Sequence, residues 1–309
     1  MNLERIGVHE SVEAVFPPEK LREELASLEP EVVVVGDGEA LAACDAVVTF
    51  AYSEAFLDAG LDWIHSIQAG YDRFPLDELE QRGIVLTNSS GIHGTSVGET
   101  GVGLMAALAR GIARYAKNQV ESRWERGEWD ENFTLAGERL CVVGLGTLGR
   151  GIAERADALG MEVVGVKRTP EDVPGVERIY TDDLQAAIED ARFVALTVPL
   201  TDETEGLVGP EEFETMREDA YLVNVARGSV VDQDALVAAL EGGEIAGAAL
   251  DVFEAEPLPE DSPLWEFENV LITPHVAAKE IDYFRHIAGL VTENVERLAA
   301  DEEWHNRVV

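Results

Sequence analysis

Leu140-Cys141-Val142-Val143-Gly144-Leu145-Gly146-Thr147-Leu148-Gly149-Arg150-Gly151-Ile152-Ala153 is the stretch on which the reading of the chain turns. An apolar run of strand length meets a Gly-x-Gly-x-x-Gly turn, and a helical pattern opens directly on it. In that order Gly144 permits a tight turn and Gly146 lets backbone approach a pyrophosphate. Gly149 lets helix and strand pack closely, with Thr147 and Leu148 at the helix N-terminus where phosphate charge is favoured. The glycine pattern alone is a weak signal; its strand, turn and helix setting makes it a dinucleotide site.

Outward from this stretch, strands and helices alternate in both directions. Downstream come EVVGV, FVALTVP, AYLVNVA, GAALDVF and NVLITPH, which with RLCVVG make six strands separated by helical patterns. Upstream, ERIGVH, EVVVVG, CDAVVTF, WIHSI and IVLTN do the same, with Pro17, Pro18 and Pro75 suited to first helical turns. Continuous apolar strands between helices predict parallel sheets covered on both faces. The fold expected is α/β, with two doubly wound parallel-sheet domains and a cleft between them. Residues 1–92 plus 281–309 form a flavodoxin-like substrate (catalytic) domain, and residues 93–280 a Rossmann dinucleotide-binding domain. Residues 94–126, rich in Gly and Ala, read as one long, mostly helical crossing capped by Thr95 or Ser96. Such a helix also suits a subunit interface. A last helix from about Glu280 to Ala300 returns to the first domain.

Composition sets bounds on the partners. Sixty-one acidic residues against 23 basic ones give a formal net charge of -38, which excludes a nucleic-acid partner because phosphate backbones are bound by clustered cations. Only Lys20, Lys117, Lys167 and Lys279 are lysines. An acidic, lysine-poor surface resembles cytoplasmic proteins of halophilic microbes, where concentrated salt screens self-repulsion; the plainer alternative is a solvated acidic face without further meaning. Cys44 and Cys141 lie in apolar runs as small hydrophobes. No signal peptide, membrane span or metal-ligand cluster is read, so a cytoplasmic location is expected.

Two further regions carry chemistry. After the second strand of the dinucleotide fold, where an acidic residue would bind the adenosine ribose of NAD, the chain has Lys167-Arg168-Thr169. Two cations in a protein short of positive charge favour NADP(H), with NAD(H) use left open. Three motifs then follow successive strands: Asn224-Val225-Ala226-Arg227-Gly228, Asp251-Val252-Phe253-Glu254-Ala255-Glu256-Pro257 and Thr273-Pro274-His275. Singly, Arg227 reads as a surface ion-pair partner, Glu256 as a solvated carboxylate and His275 as a loop residue. Together, at the carboxyl edge of one sheet, they supply what reduction of a 2-oxo acid needs. Arg227 offers a planar cation for carboxylate or ketone, His275 a proton donor, and Glu256 a partner that keeps the donor charged and oriented.

VVGLGTLGRGIA, VPLTDETEGLVG, LVNVARGSVVD, ALDVFEAEPLP and NVLITPHVA together resemble the D-isomer specific 2-hydroxyacid dehydrogenase family. The resemblance covers nearly the whole chain and is strongest from Gly98 to Ala277. It implies Arg227, Glu256 and His275 as the catalytic set. SIQAGYDRF is similar to the family's substrate loop, which places the substrate carboxylate against backbone amides of Ala69, Gly70 and Tyr71. It further implies Asp251 at the nicotinamide carboxamide, with Val225, Ala226 and His275 beside it, and Val198, Pro199 and Thr204 on the adenine-ribose side. A homodimer through residues 94–126 is expected. The chain departs from the commoner family pattern in Lys167-Arg168, resembling the NADP-using branch, and no regulation through the extra C-terminal domain of longer relatives is expected.

The activity implied is hydride transfer between NAD(P)H and a small 2-oxo acid, giving a D-2-hydroxy acid. Ile67 to Phe74 and Trp265 set pocket size, and His65 and Tyr71 read as pocket or, more readily, core residues. The rival is a non-catalytic dinucleotide-sensing scaffold similar to the family's corepressors, which keep the fold. A phosphite- or formate-oxidising dehydrogenase also shares it.

Overall fold

Segments of three to five residues, apolar in all but β8, form the named strands, and all pairings between named strands are parallel. The computed structural model describes residues 3–309 and divides into two units, one running to Ile92 and resuming over Lys279–Val309, the other His93–Ala278.

The first unit contains β1 (Arg5–His9), α1 (Pro18–Glu24), β2 (Glu31–Val35), β3 (Ala46–Thr49), α2 (Ala55–Asp58), β4 (Trp63–Ser66), α3 (Leu76–Arg82) and β5 (Val85–Thr87). Its sheet order, β2-β1-β3-β4-β5, is the flavodoxin-like one. Alternation along each strand feeds two cores: Ile6, Val8, Val48 and Trp63 pack on one face, Val47, Ile64 and Leu86 on the other. Pro18 opens α1, while Pro17 and Pro75 occupy the cap positions of α1 and α3.

The second unit contains α4 (Gly94–Ala109), α5 (Ile112–Val120), β6 (Arg139–Val143), α6 (Thr147–Ala158), β7 (Glu162–Val166), β8 (Arg178–Tyr180), α7 (Leu184–Ile188), β9 (Phe193–Leu196), α8 (Pro210–Thr215), β10 (Tyr221–Asn224), α9 (Gln233–Gly242), β11 (Gly247–Leu250) and β12 (Val270–Ile272). The sheet runs β12-β11-β10-β9-β6-β7-β8. Counted from β6 this is the dinucleotide-fold order with one strand added at the far edge, and it reverses between β6 and β9. Cys141, Val143, Leu196 and Leu222 serve one core, Leu140, Val142, Phe193 and Val223 the other. The chain's last helix, α10 (Tyr283–Ala299), belongs to the first unit; Tyr283, Ile287 and Val291 enter its core.

Three local expectations are corrected. The second sheet has seven strands, because the three residues of β8 pair at the edge of β7 without the long apolar run that marks the others. Within residues 94–126 there are two helices, α4 and α5, parted where Gly111 takes a left-handed backbone (φ +61), a conformation that ends helices, and residues 121–126 are not helical. Neither Thr95 nor Ser96 caps α4: His93 holds the cap position, and the Ser96 hydroxyl, inside the first turn, donates back to the His93 carbonyl at 3.4 Å.

Candidate active site

The loop from β6 to α6 is built by exclusion of side chains. Gly144 is left-handed (φ +96), and a Cβ there would lie 2.8 Å from Val198 Cγ1. A Cβ on Gly149 would lie 1.9 Å from the Gly144 carbonyl oxygen, so only glycine lets the helix sit this close to the strand. The Thr197 hydroxyl fastens the turn by donating to that same carbonyl at 2.5 Å. Gly146 differs: a Cβ there meets nothing within 4 Å, and no side chain caps the opening turn of α6. An open cradle before uncapped helical amides, at the reversal point of the sheet, fits a dinucleotide pyrophosphate.

At the end of β7, Lys167 is half-buried while Arg168 and Thr169 are exposed. Lys167 Nζ and Arg150 Nη2 both bond the carboxylate of Glu171, and these two hydrogen bonds hold the Glu171 carboxyl down at about 2. Arg168 Nη1 donates to Glu203 Oε2 at 3.2 Å. Across the sheet, Val198 and exposed Pro199 follow β9. The Thr204 hydroxyl closes their turn, donating to the Pro199 carbonyl at 2.6 Å and accepting from the Thr201 amide at 2.8 Å.

Downstream, the loops after β10, β11 and β12 are locked to one another. Asn224 ties the first, its Oδ1 accepting from the Ala226 amide (3.0 Å) and its Nδ2 donating to the Arg227 carbonyl (3.0 Å). Val225 and Ala226 are buried, and Arg227 Nη1 donates to the Ala226 carbonyl at 2.8 Å. Gly228 presses against the Phe253 backbone so closely that a Cβ would fall 1.8 Å from its carbonyl carbon, which joins the Arg227 loop to the loop carrying Glu256. Glu256 Oε1 accepts from the Phe253 amide at 3.2 Å, and Oε2 lies 2.8 Å from His275 Nδ1. That contact fixes the imidazole plane and directs Nε2 away from the carboxylate.

Asp251, 1 % exposed, organises the His275 loop. Its Oδ1 accepts from the Thr273 hydroxyl (2.5 Å) and the Val276 amide (2.9 Å), its Oδ2 from the Ala277 amide (2.9 Å), and its carbonyl from the His275 amide (2.8 Å). With about four acceptor directions on a carboxylate, one on Oδ2 is left for a further donor.

Ala69, Gly70 and Tyr71 lie in the first unit, in the loop after β4, where Asn88 Nδ2 bonds the Ala69 carbonyl at 2.6 Å and Tyr71 is exposed. His65 is a core residue: wholly buried, with Thr87 Oγ1 at 2.8 Å and Ser89 Oγ at 3.1 Å, its pKa pushed down by burial to about 3. Trp265 is half-exposed and donates its indole N–H to the Pro259 carbonyl at 2.9 Å. Among the described residues no cluster could hold a metal ion, and no helix is long and apolar enough to cross a membrane. The sequence reading gives Arg150 and Glu171 no role, and Asn224 and Thr273 stand in its motifs without one. Arg150 directly follows the last glycine of its motif, and Glu171 stands four residues after Lys167, the only signals either left.

A sheet edge shaped to cradle a pyrophosphate, with a histidine oriented by a glutamate from the loop of the neighbouring strand, places the molecule among nucleotide-dependent oxidoreductases. Likeness to known proteins narrows the class. The family pattern described as "D-isomer specific 2-hydroxyacid dehydrogenase, NAD binding domain" matches residues 102–277. A glyoxylate reductase of Korarchaeum cryptofilum is 38% identical over 234 residues, 73% of this chain and 69% of that one. A D-3-phosphoglycerate dehydrogenase of Methanocaldococcus jannaschii is 36% identical over 77% of this chain and 46% of its own length. Among solved structures, a D-isomer specific 2-hydroxyacid dehydrogenase from Xanthobacter autotrophicus Py2 in complex with NADPH and MES superposes with a TM-score of 0.82 at 30% identity, covering 100% of this chain and 98% of that one. The chain belongs to the D-isomer specific 2-hydroxyacid dehydrogenase family and is an NAD(P)-dependent oxidoreductase.

Proposed function

We propose that the chain reduces a small 2-oxo acid to the D-2-hydroxy acid, using NADPH in preference to NADH, as a homodimer in the cytoplasm. The 2.8 Å contact between His275 Nδ1 and Glu256 Oε2 carries the reading. The nicotinamide, when bound, supplies the hydride to the ketone carbon. His275 delivers the proton that the carbonyl oxygen acquires, and takes it back in the oxidising direction. Glu256 stabilises the charged ring and keeps Nδ1 occupied, so that Nε2 faces the reaction. Arg227 binds the substrate and draws charge toward its carbonyl oxygen, while backbone amides of Ala69, Gly70 and Tyr71 receive the substrate carboxylate. Asp251 receives the carboxamide on its remaining acceptor direction. Val225 and Ala226 would line the nicotinamide side of a bound cofactor, and Val198, Pro199 and Thr204 its adenosine side.

Glyoxylate and hydroxypyruvate head the substrates to test, because relatives carry the names glyoxylate reductase and glyoxylate/hydroxypyruvate reductase B. The NADPH preference is supported by Lys167 and Arg168, and by the solved relative bound to NADPH. The dimer is supported by Ile112, Val120, Trp124 and Trp129, large apolar side chains more than half exposed on α5 and the segment after it. Loss of reduced-nicotinamide absorbance with a panel of small 2-oxo acids, in concentrated salt and with each cofactor, tests the reading. Turnover of at least one 2-oxo acid, faster with NADPH, is expected. Nucleotide binding without turnover of any of them would overturn it in favour of a sensing scaffold.

A further inference from the structure

Two cations border the cofactor-side end of β7 in sequence, and the structure adds a third. Arg150, from the first turn of α6, reaches across to the same place as Lys167, and its Nε is tethered to the Leu145 carbonyl of the glycine turn at 3.1 Å. Each of the three has a carboxylate partner, although Arg168 stays largely exposed. Glu171 puts one carboxylate oxygen on Arg150 and the other on Lys167, while Arg168 is met by Glu203. An oxygen anion bridging an arginine and a lysine is the arrangement that a phosphate would adopt between the same donors. It stands at the strand end where the ribose 2′ substituent of a dinucleotide falls.

We propose that Glu171 is a built-in competitor for the 2′-phosphate: it occupies the Arg150–Lys167 clamp in the free enzyme and with NADH, and yields it when NADPH binds. The choice between cofactors is thereby set by a carboxylate as well as by the cations. Glu171 lowers the advantage that the clamp gives NADPH, keeps Arg150 and Lys167 from repelling one another when no phosphate is present, and leaves NADH usable. Arg150 is then a specificity-determining residue for NADPH. The inference rests on the reading that Lys167 and Arg168 face the ribose.

Dissociation constants for NADPH and NADH, taken from nicotinamide fluorescence at one fixed high salt concentration, test both layers separately. Glu171→Gln is expected to tighten NADPH by about 2- to 5-fold, the worth of one partly exposed ion pair, with NADH changed by less than that. Arg150→Ala is expected to weaken NADPH and spare NADH. Lys167→Ala with Arg168→Ala is the control on the underlying reading. If that double variant weakens NADPH selectively but Glu171→Gln leaves NADPH unchanged or weaker, the competitor role is overturned and the NADPH reading survives. If the double variant weakens both cofactors equally, the reading fails and the competitor role with it.

Discussion

His275 holds a left-handed backbone (φ +53), a conformation that costs a residue with a side chain roughly 1–3 kcal/mol unless its surroundings impose it. Asp251 imposes it, through three donors gathered onto a buried carboxylate and a fourth onto its carbonyl. The histidine therefore meets Glu256 in a geometry set from the backbone up. A second histidine shows the opposite use of the residue. His65 is sealed among Thr87 and Ser89 and stays neutral down to about 3. The unfolded chain takes up that proton near 6.5, so the native state binds fewer protons below this pH and loses stability as pH falls. The expected slope from this group is about 1.4 kcal/mol per pH unit below 6.5. Denaturation midpoints between pH 6.5 and 5 should fall less steeply in His65→Asn than in the wild type; equal slopes would remove His65 from the explanation. At this scale the sequence exposes residues that follow a strand directly, as Arg227 and His275 do. It hides Arg150 and Glu171, which meet across 21 residues of a chain holding 61 acidic side chains, with nothing to single out one partner from the rest.

Helix α4 and helix α6 approach closely because glycines line their crossing. A Cβ on Gly98 would stand 2.5 Å from the Gly151 carbonyl oxygen, and one on Gly151 would stand 1.9 Å from that of Gly94. Since α6 begins at the glycine turn, this crossing seats the cofactor loop as well as the core. Gly151→Ala should cost about 1–3 kcal/mol through overpacking and weaken both cofactors together, measurable by thermal denaturation and fluorescence titration. Full stability would show that the crossing gives way at no cost. The Gly- and Ala-rich composition of residues 94–109 announces close packing, whereas the break at Gly111 does not stand out from the other glycines in the same stretch. β8 stays hidden for another reason: one exposed and two half-exposed residues on an edge carry no periodicity, and only pairing with β7 makes them a strand.

At the scale of the whole molecule, the governing quantity is a formal net charge of -38. Self-repulsion of that size strains a folded chain in dilute buffer, and salt relieves it as the screening length shrinks from about 30 Å at 0.01 M to about 3 Å at 1 M. Thermal midpoints should climb steadily from dilute to molar potassium chloride; a flat profile would leave the acidic surface without this role. The alternation of strands and helices was legible in both units, β8 apart, because parallel strands buried on both faces are continuous apolar runs. The order of those strands is what brings distant motifs to one edge. Glu256 and His275, 19 residues apart, become partners only because β11 and β12 lie side by side.

The most direct measurement is the turnover of His275→Gln with a 2-oxo acid that the wild type reduces, alongside its affinity for NADPH. A fall in turnover of about 100-fold or more, with NADPH affinity close to that of the wild type, is the result expected of an acid–base group separate from the phosphate cradle. Turnover left near the wild-type rate would contradict the assignment of proton transfer to His275.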